Sequence, residues 1–262
     1  APFSKALQQK RAMVTELSET RTPYEILDID APGIKQLSTQ APEALTFSVP
    51  GPKTGALLEL ELVKVDIFSS DFRVTLASSD SPIDMPLGAH YRGIIKGDKN
   101  SVVSISIFED QVMGLIASDD GNFVVGKMKG DSWNGEHIIY DDAKVLQQHN
   151  FTCGTKDDGI GYKRKDLEYD RDSRSPGDCI RLYIETDNDI YVNKGGATGT
   201  TNYITGLMNE VITLYANESI IAVVSQLVLW DVTSPYSSNT SSGMLSDFQA
   251  NTGNFNGDLS QL

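Results

Sequence analysis

A chain of 262 residues is long enough for two domains of about 100 to 150 residues each, and 39% hydrophobic with 22% charged residues is the balance of a globular protein rather than a disordered or fibrous one. Against 36 acidic residues stand only 22 Lys and Arg, so the formal charge of −14 repels a phosphate backbone and argues against a nucleic-acid partner. No apolar run reaches the roughly 18 residues needed to span a bilayer; the longest, residues 220–230, is interrupted by Ser225 and Gln226.

The sequence opens on Ala1 rather than Met, directly ahead of a polar stretch, which reads as an export signal already removed and implies a secreted or cell-surface protein; an arbitrary boundary would give the same start. Leu7, Met13, Val14 and Leu17 among charged residues predict a short amphipathic helix over residues 6–18. The period then changes to alternation. Residues 24–29, 45–49, 56–67 and 72–76 read as strands, with turns expected at Ala31-Pro32-Gly33 and Pro50-Gly51-Pro52. Residues 90–95, 102–108, 111–116, 123–128 and 137–140 continue the pattern. Glu109-Asp110 and the turn at residues 119–122 serve as tight connections, and the first 145 residues or so are expected to form one antiparallel β-domain, a sandwich or open barrel.

Residues 156–178 break both periods with charged, Gly- and Pro-containing clusters, as expected of an exposed linker. Beyond it, residues 180–185 read as a strand, and Tyr203, Leu207, Val211, Leu214 and Tyr215 mark one face of a long helix that Thr200 or Thr201 could cap. A nearly continuous apolar strand follows over residues 220–232, then a short helix over 242–250. This second unit, strand, helix, strand and helix, lacks the further strands that would complete a sheet, so its apolar strand is expected to be left with an open edge.

Two stretches carry a family resemblance: Cys179-Ile-Arg-Leu-Tyr-Ile-Glu-Thr-Asp-Asn-Asp-Ile-Tyr, and Asn202-Tyr-Ile-Thr-Gly-Leu-Met-Asn-Glu-Val-Ile-Thr-Leu-Tyr-Ala-Asn-Glu. Together with Leu227-Val-Leu-Trp-Asp and Phe255-Asn-Gly-Asp-Leu-Ser-Gln-Leu they resemble the opening of bacterial reprolysin-like, adamalysin-type zinc metallopeptidases, over about a third of the chain. Upstream, His90-Tyr-Arg-Gly-Ile-Ile-Lys-Gly-Asp-Lys-Asn-Ser-Val-Val-Ser-Ile-Ser and Gln111-Val-Met-Gly-Leu-Ile are similar to the propeptide domain that precedes such enzymes. The resemblance implies a β-rich inhibitory prodomain over residues 1–155, a processing linker over 156–178, and an incomplete α/β metzincin-like catalytic domain over 179–262. It implies in turn a latent secreted zinc metalloendopeptidase acting on protein or peptide substrates. Its nearest partner would be the remainder of its own catalytic domain.

Within that resemblance Cys153-Gly154 is similar to the core of a cysteine switch, in which a thiolate occupies the catalytic zinc and displaces the attacking water. Two other readings of the only two cysteines stay open: a disulfide from Cys153 to Cys179, or an inert buried thiol. Lys163, Arg164, Lys165 and Arg174 are candidate processing sites or, equally, a solvated charge run. The family's H-E-x-x-H-x-x-G-x-x-H motif is missing from these residues, so no catalytic residue is assigned and zinc is expected in a part of the catalytic domain not included here. His90, His137 and His149 lie upstream of the linker and read as β-domain residues. Calcium is doubtful, because Arg181 stands where relatives place a ligating Glu, and the pairs Asp119-Asp120, Asp141-Asp142 and Asp157-Asp158 read as solvated turns. The alternative function is a secreted binding or adhesion module carrying a degenerate protease-like domain.

Overall fold

The computed structural model describes residues 3–5, 24–51, 57–130, 134–144 and 179–262. The helix expected over 6–18, the linker, Cys153, His149 and the four candidate processing residues lie outside the described residues.

The protein is β-rich and built on two sheets. Among the described residues, eleven strands come from the first 144 positions: β1 (Phe3–Lys5), β2 (Tyr24–Ile29), β3 (Ala44–Pro50), β4 (Leu57–Val65), β5 (Phe68–Leu76), β6 (Ser81–Ile83), β7 (Ala89–Ile95), β8 (Asp98–Ile107), β9 (Val112–Ser118), β10 (Gly121–Lys127) and β11 (His137–Asp141). Nine of them form one antiparallel sheet in the order β1-β2-β11-β10-β9-β8-β7-β4-β3. It curls into a half-barrel, bringing Phe3 of β1 edge-on to Phe47 of β3 with ring centroids 5.7 Å apart.

The expected turn at residues 31–33 is instead the start of helix α1 (Ala31–Gln40). Asp30 caps it, accepting from Gly33 N–H at 3.1 Å, and Pro32 in the first turn costs no intrahelical bond because that N–H would be unpaired anyway. Its Ile34 is fully buried in the half-barrel core with Phe47, Leu60, Tyr91, Ile105 and Ile116.

In the second segment come β12 (Ile180–Thr186), α2 (Asn188–Asn193), α3 (Ala197–Asn217), β13 (Ala222–Leu229), α4 (Ser241–Asn251) and β14 (Leu259–Gln261). Thr200 and Thr201 do not cap α3: it begins three residues earlier after Gly196, and Thr200 Oγ1 donates back to the Gly196 carbonyl at 2.9 Å. Thr240 caps α4 through Gly243 N–H.

The second sheet is not left open as expected. Its order is β14-β12-β13-β5-β6, with β12, β13, β14 and β5 parallel and β6 antiparallel at the edge. Residues 72–76, read from the sequence as part of the antiparallel run, therefore leave it and pair with β13, Arg73 opposite Gln226 through Leu76 opposite Leu229. An apolar strand buried on both faces takes whichever neighbour satisfies its N–H and C=O groups, and here that neighbour comes from far upstream.

Helix α3 lies between the two sheets. Met208 and Ile212 join the core under β13, while the adjoining face, with Thr205, Asn209 and Thr213, is seated on the outer side of β7, β8 and β9. At Gly206 the Met113 thioether takes the space a side chain would fill, its Sδ lying 2.9 Å from where a Cβ would stand. Among the described residues no helix is long and apolar enough to cross a membrane.

Candidate functional site at the junction of the two segments

Two clasps hold the β5–β6 hairpin at either end. At the first, Arg181 Nη2 donates to both carboxylate oxygens of Asp71, at 3.0 and 2.9 Å, and to Asn256 Oδ1 at 2.7 Å. Asn256 Nδ2 closes the triangle on Asp71 at 3.1 Å. The Arg181 guanidinium, seconded by the Ser69 hydroxyl and Asn256, holds the Asp71 carboxyl well below the usual carboxylate range. At the second, Ser78 donates to Asp231 through its backbone N–H at 3.0 Å and its hydroxyl at 2.6 Å, which lowers the Asp231 carboxyl in turn. Between them Arg73 Nη2 meets Gln226 Oε1 at 2.8 Å.

The seat of α3 is a polar chain. Asn209 Nδ2 donates to Ser106 Oγ at 3.1 Å, and Ser106 Oγ lies 2.9 Å from His90 Nδ1. His90 Nε2, 3.1 Å from the Leu87 carbonyl, must carry the ring proton, because a carbonyl can only accept; Nδ1 then accepts from Ser106. The same reasoning makes His137 an Nδ1–H tautomer, donating to the Gly135 carbonyl at 2.9 Å and accepting Val112 N–H on Nε2 at 3.0 Å. Burial pushes both imidazoles down to about 4, so both are neutral pins of the β-structure. Burial raises Glu210, on α3 beside the half-barrel, to about 7.

A third cluster centres on Glu185 of β12. Its Oε1 accepts from the Tyr183 hydroxyl at 2.6 Å and Thr252 Oγ1 at 3.2 Å; its Oε2 accepts from Trp230 Nε1 at 2.8 Å and from the Tyr236 hydroxyl. Four donors fill the carboxylate, which therefore ties the chain after β13 and the end of α4 to β12 and has no acceptor position left for a base's work. Burial and the nearby Glu185 carboxylate raise both tyrosines. Beside Glu185 lies a cavity of about 620 Å³ lined by Ile184, Tyr203, Leu207, Met208, Leu245 and Phe248. A second of about 1190 Å³ separates α1 from the first turn of α3, its charged rim paired as Lys35 with Glu109 and Lys127 with Asp110.

Cys179 is half-buried just before β12 and forms no disulfide with another described residue, while Cys153 lies outside the described residues. Arg181, which the resemblance sets at a calcium position, spends its charge on Asp71. Asp141 is not in a solvated turn but buried at the end of β11, where the strand carries it inward. Sequence reasoning missed Asp71, Ser78, Asp231, Asn209 and Glu185. The available signal was polarity out of place: an acid inside the strand pattern of β5, and another between Ile184 and Thr186 of a buried strand.

The described residues do not fit a zinc centre: no three His, Cys, Asp or Glu side chains among them converge, and both ring nitrogens of His90 and of His137 are engaged. No protein-family model matches the chain, and no curated protein sequence matches it significantly.

Proposed function

We propose that this chain is the N-terminal part of a latent, secreted zinc metalloendopeptidase, with residues 1–155 as its inhibitory prodomain and residues 179–262 as the start of its catalytic domain. What carries the reading beyond the sequence resemblance is the embrace at the junction: the first segment lends two strands to the sheet of the second and seats α3 on its own half-barrel. Zinc would be held by residues outside this chain, with Cys153 as the thiolate that silences it and the basic residues at 163–165 and Arg174 as the sites of removal. The described residues take no part in hydrolysis; they bind, position and exclude.

The test begins with the encoding frame beyond Leu262. The product of the whole frame should contain one zinc per chain, hydrolyse peptides only after scission within 156–178, and become active without scission in Cys153→Ala. A frame that stops at Leu262, with a zinc-free product that hydrolyses nothing, overturns the reading in favour of a binding or adhesion module.

A further inference from the structure

If residues 179–262 stood alone, β13 would be an edge strand with its apolar side chains bare on one flank. Residues 65–87 cover that flank. Val224 N–H donates to the Ile67 carbonyl at 2.8 Å, Ala77 N–H to the Leu229 carbonyl at 2.9 Å, and the ladder between them is parallel. Ile67 and Val74 are buried in the same core as Leu182, Leu227 and Met208, with Phe72 and Leu87 packed against it. A second contact between the segments is more polar: α3 meets the half-barrel through Thr205, Asn209 and Ser106, with Met113 against Gly206, and Lys129 Nζ donates to Asn193, so much of this seat consists of polar groups that water can replace when the surfaces part.

We propose that residues 65–87 are a strand-lending arm that keeps the first segment bound to the outer edge of β13 after the chain is cut between residues 145 and 178, so that scission and release are separate steps. Strand addition suits the task. Main-chain hydrogen bonds supply affinity, alternate side chains entering the core supply register, and the clasps at Asp71 and Ser78 fix both ends. The free second segment would then present β13 as an unpaired edge strand. The proposal rests on the division of the chain proposed above, though not on zinc or on Cys153.

The experiment uses the whole 262-residue chain with one recognition sequence for a site-specific protease inserted between Lys165 and Asp166, cut after folding and run on a sizing column at micromolar and then nanomolar concentration. The two pieces are expected to co-elute at the mass of the uncut protein and to separate only in denaturant. The double variant Asp71→Ala/Ser78→Ala, altered at exposed positions and checked for folding while uncut, should raise the dissociation constant of the cut pieces about tenfold or more. Separation of the unmodified pieces at micromolar concentration overturns the arm. So does a double variant that binds as tightly as the unmodified pair while Asn209→Ala releases it, since retention would then belong to the seat of α3. Neither result bears on zinc content or on Cys153→Ala, which test the protease reading separately.

Discussion

Acid should weaken this protein through its histidines, and Glu210 should oppose the loss. His90 and His137 are held at about 4 against an ordinary 6.5, so between those values the unfolded chain binds two protons that the native state refuses. Their stabilisation is complete above pH 6.5 and drains away as the pH falls towards 4. From pH 7 to 4.5 the loss is about 2.4 kcal/mol for each, or about 5 in all. Glu210 runs the other way: raised from 4.5 to about 7, it takes up its proton in the native state first and so adds stability as the pH falls. Discounted for its partial exposure, that gain is about 2 kcal/mol over the same interval, leaving a net loss of about 3. Glu210→Gln removes the opposing group. The variant should therefore lose about 5 kcal/mol from pH 7 to 4.5, and at pH 8, where the native carboxylate is ionised at a cost, it should be more stable than the unmodified protein. Urea unfolding followed by tryptophan fluorescence at pH 8, 7, 5.5 and 4.5 measures both effects. Equal acid sensitivity of the variant and the unmodified protein would refute the reasoning.

Asn209→Asp should be worse than Asn209→Ala, because a carboxylate would face the Tyr91 and Ile105 carbonyls, 3.4 and 3.3 Å from Asn209 Nδ2; a cost of about 3 to 5 kcal/mol in urea unfolding is expected. Glu185→Ala strands the Tyr183, Trp230 and Tyr236 donors and should cost about 3 kcal/mol or more, with hydrogen exchange quickening in residues 230–240 while the half-barrel core stays protected.

Alternation in the first segment exposed most of its strands, because one face of β3, β4 and β9 to β11 enters a single apolar core and side chains on a strand repeat every two residues. The same rule misled at β8. Its serines alternate with Val103, Ile105 and Ile107, the pattern of a solvent face, yet Ser104 and Ser106 are buried, since α3, far downstream, covers them. Pairing partners were not legible at all: nothing local in residues 68–76 distinguishes a strand that stays with β4 and β7 from one that crosses to β13. The helix at 31–40 was hidden by Pro32 and Gly33, which mark turns and helix starts alike until the capping carboxylate of Asp30 is considered. At the junction Arg181 and Asp71 are 110 positions apart, so neither could have nominated the other.

Pairing across such a distance also sets an order of events during synthesis. The residue that bonds Asp231 is made 153 positions before it, and at roughly 5 to 20 residues per second a ribosome needs about 8 to 30 seconds to bridge that gap. Throughout that interval the nascent half-barrel carries a β5–β6 hairpin whose other edge, the one that pairs with β13, is unfilled. Production of this protein should therefore be sensitive to holdase chaperones and to slow codons late in the message, even when the finished fold is sound.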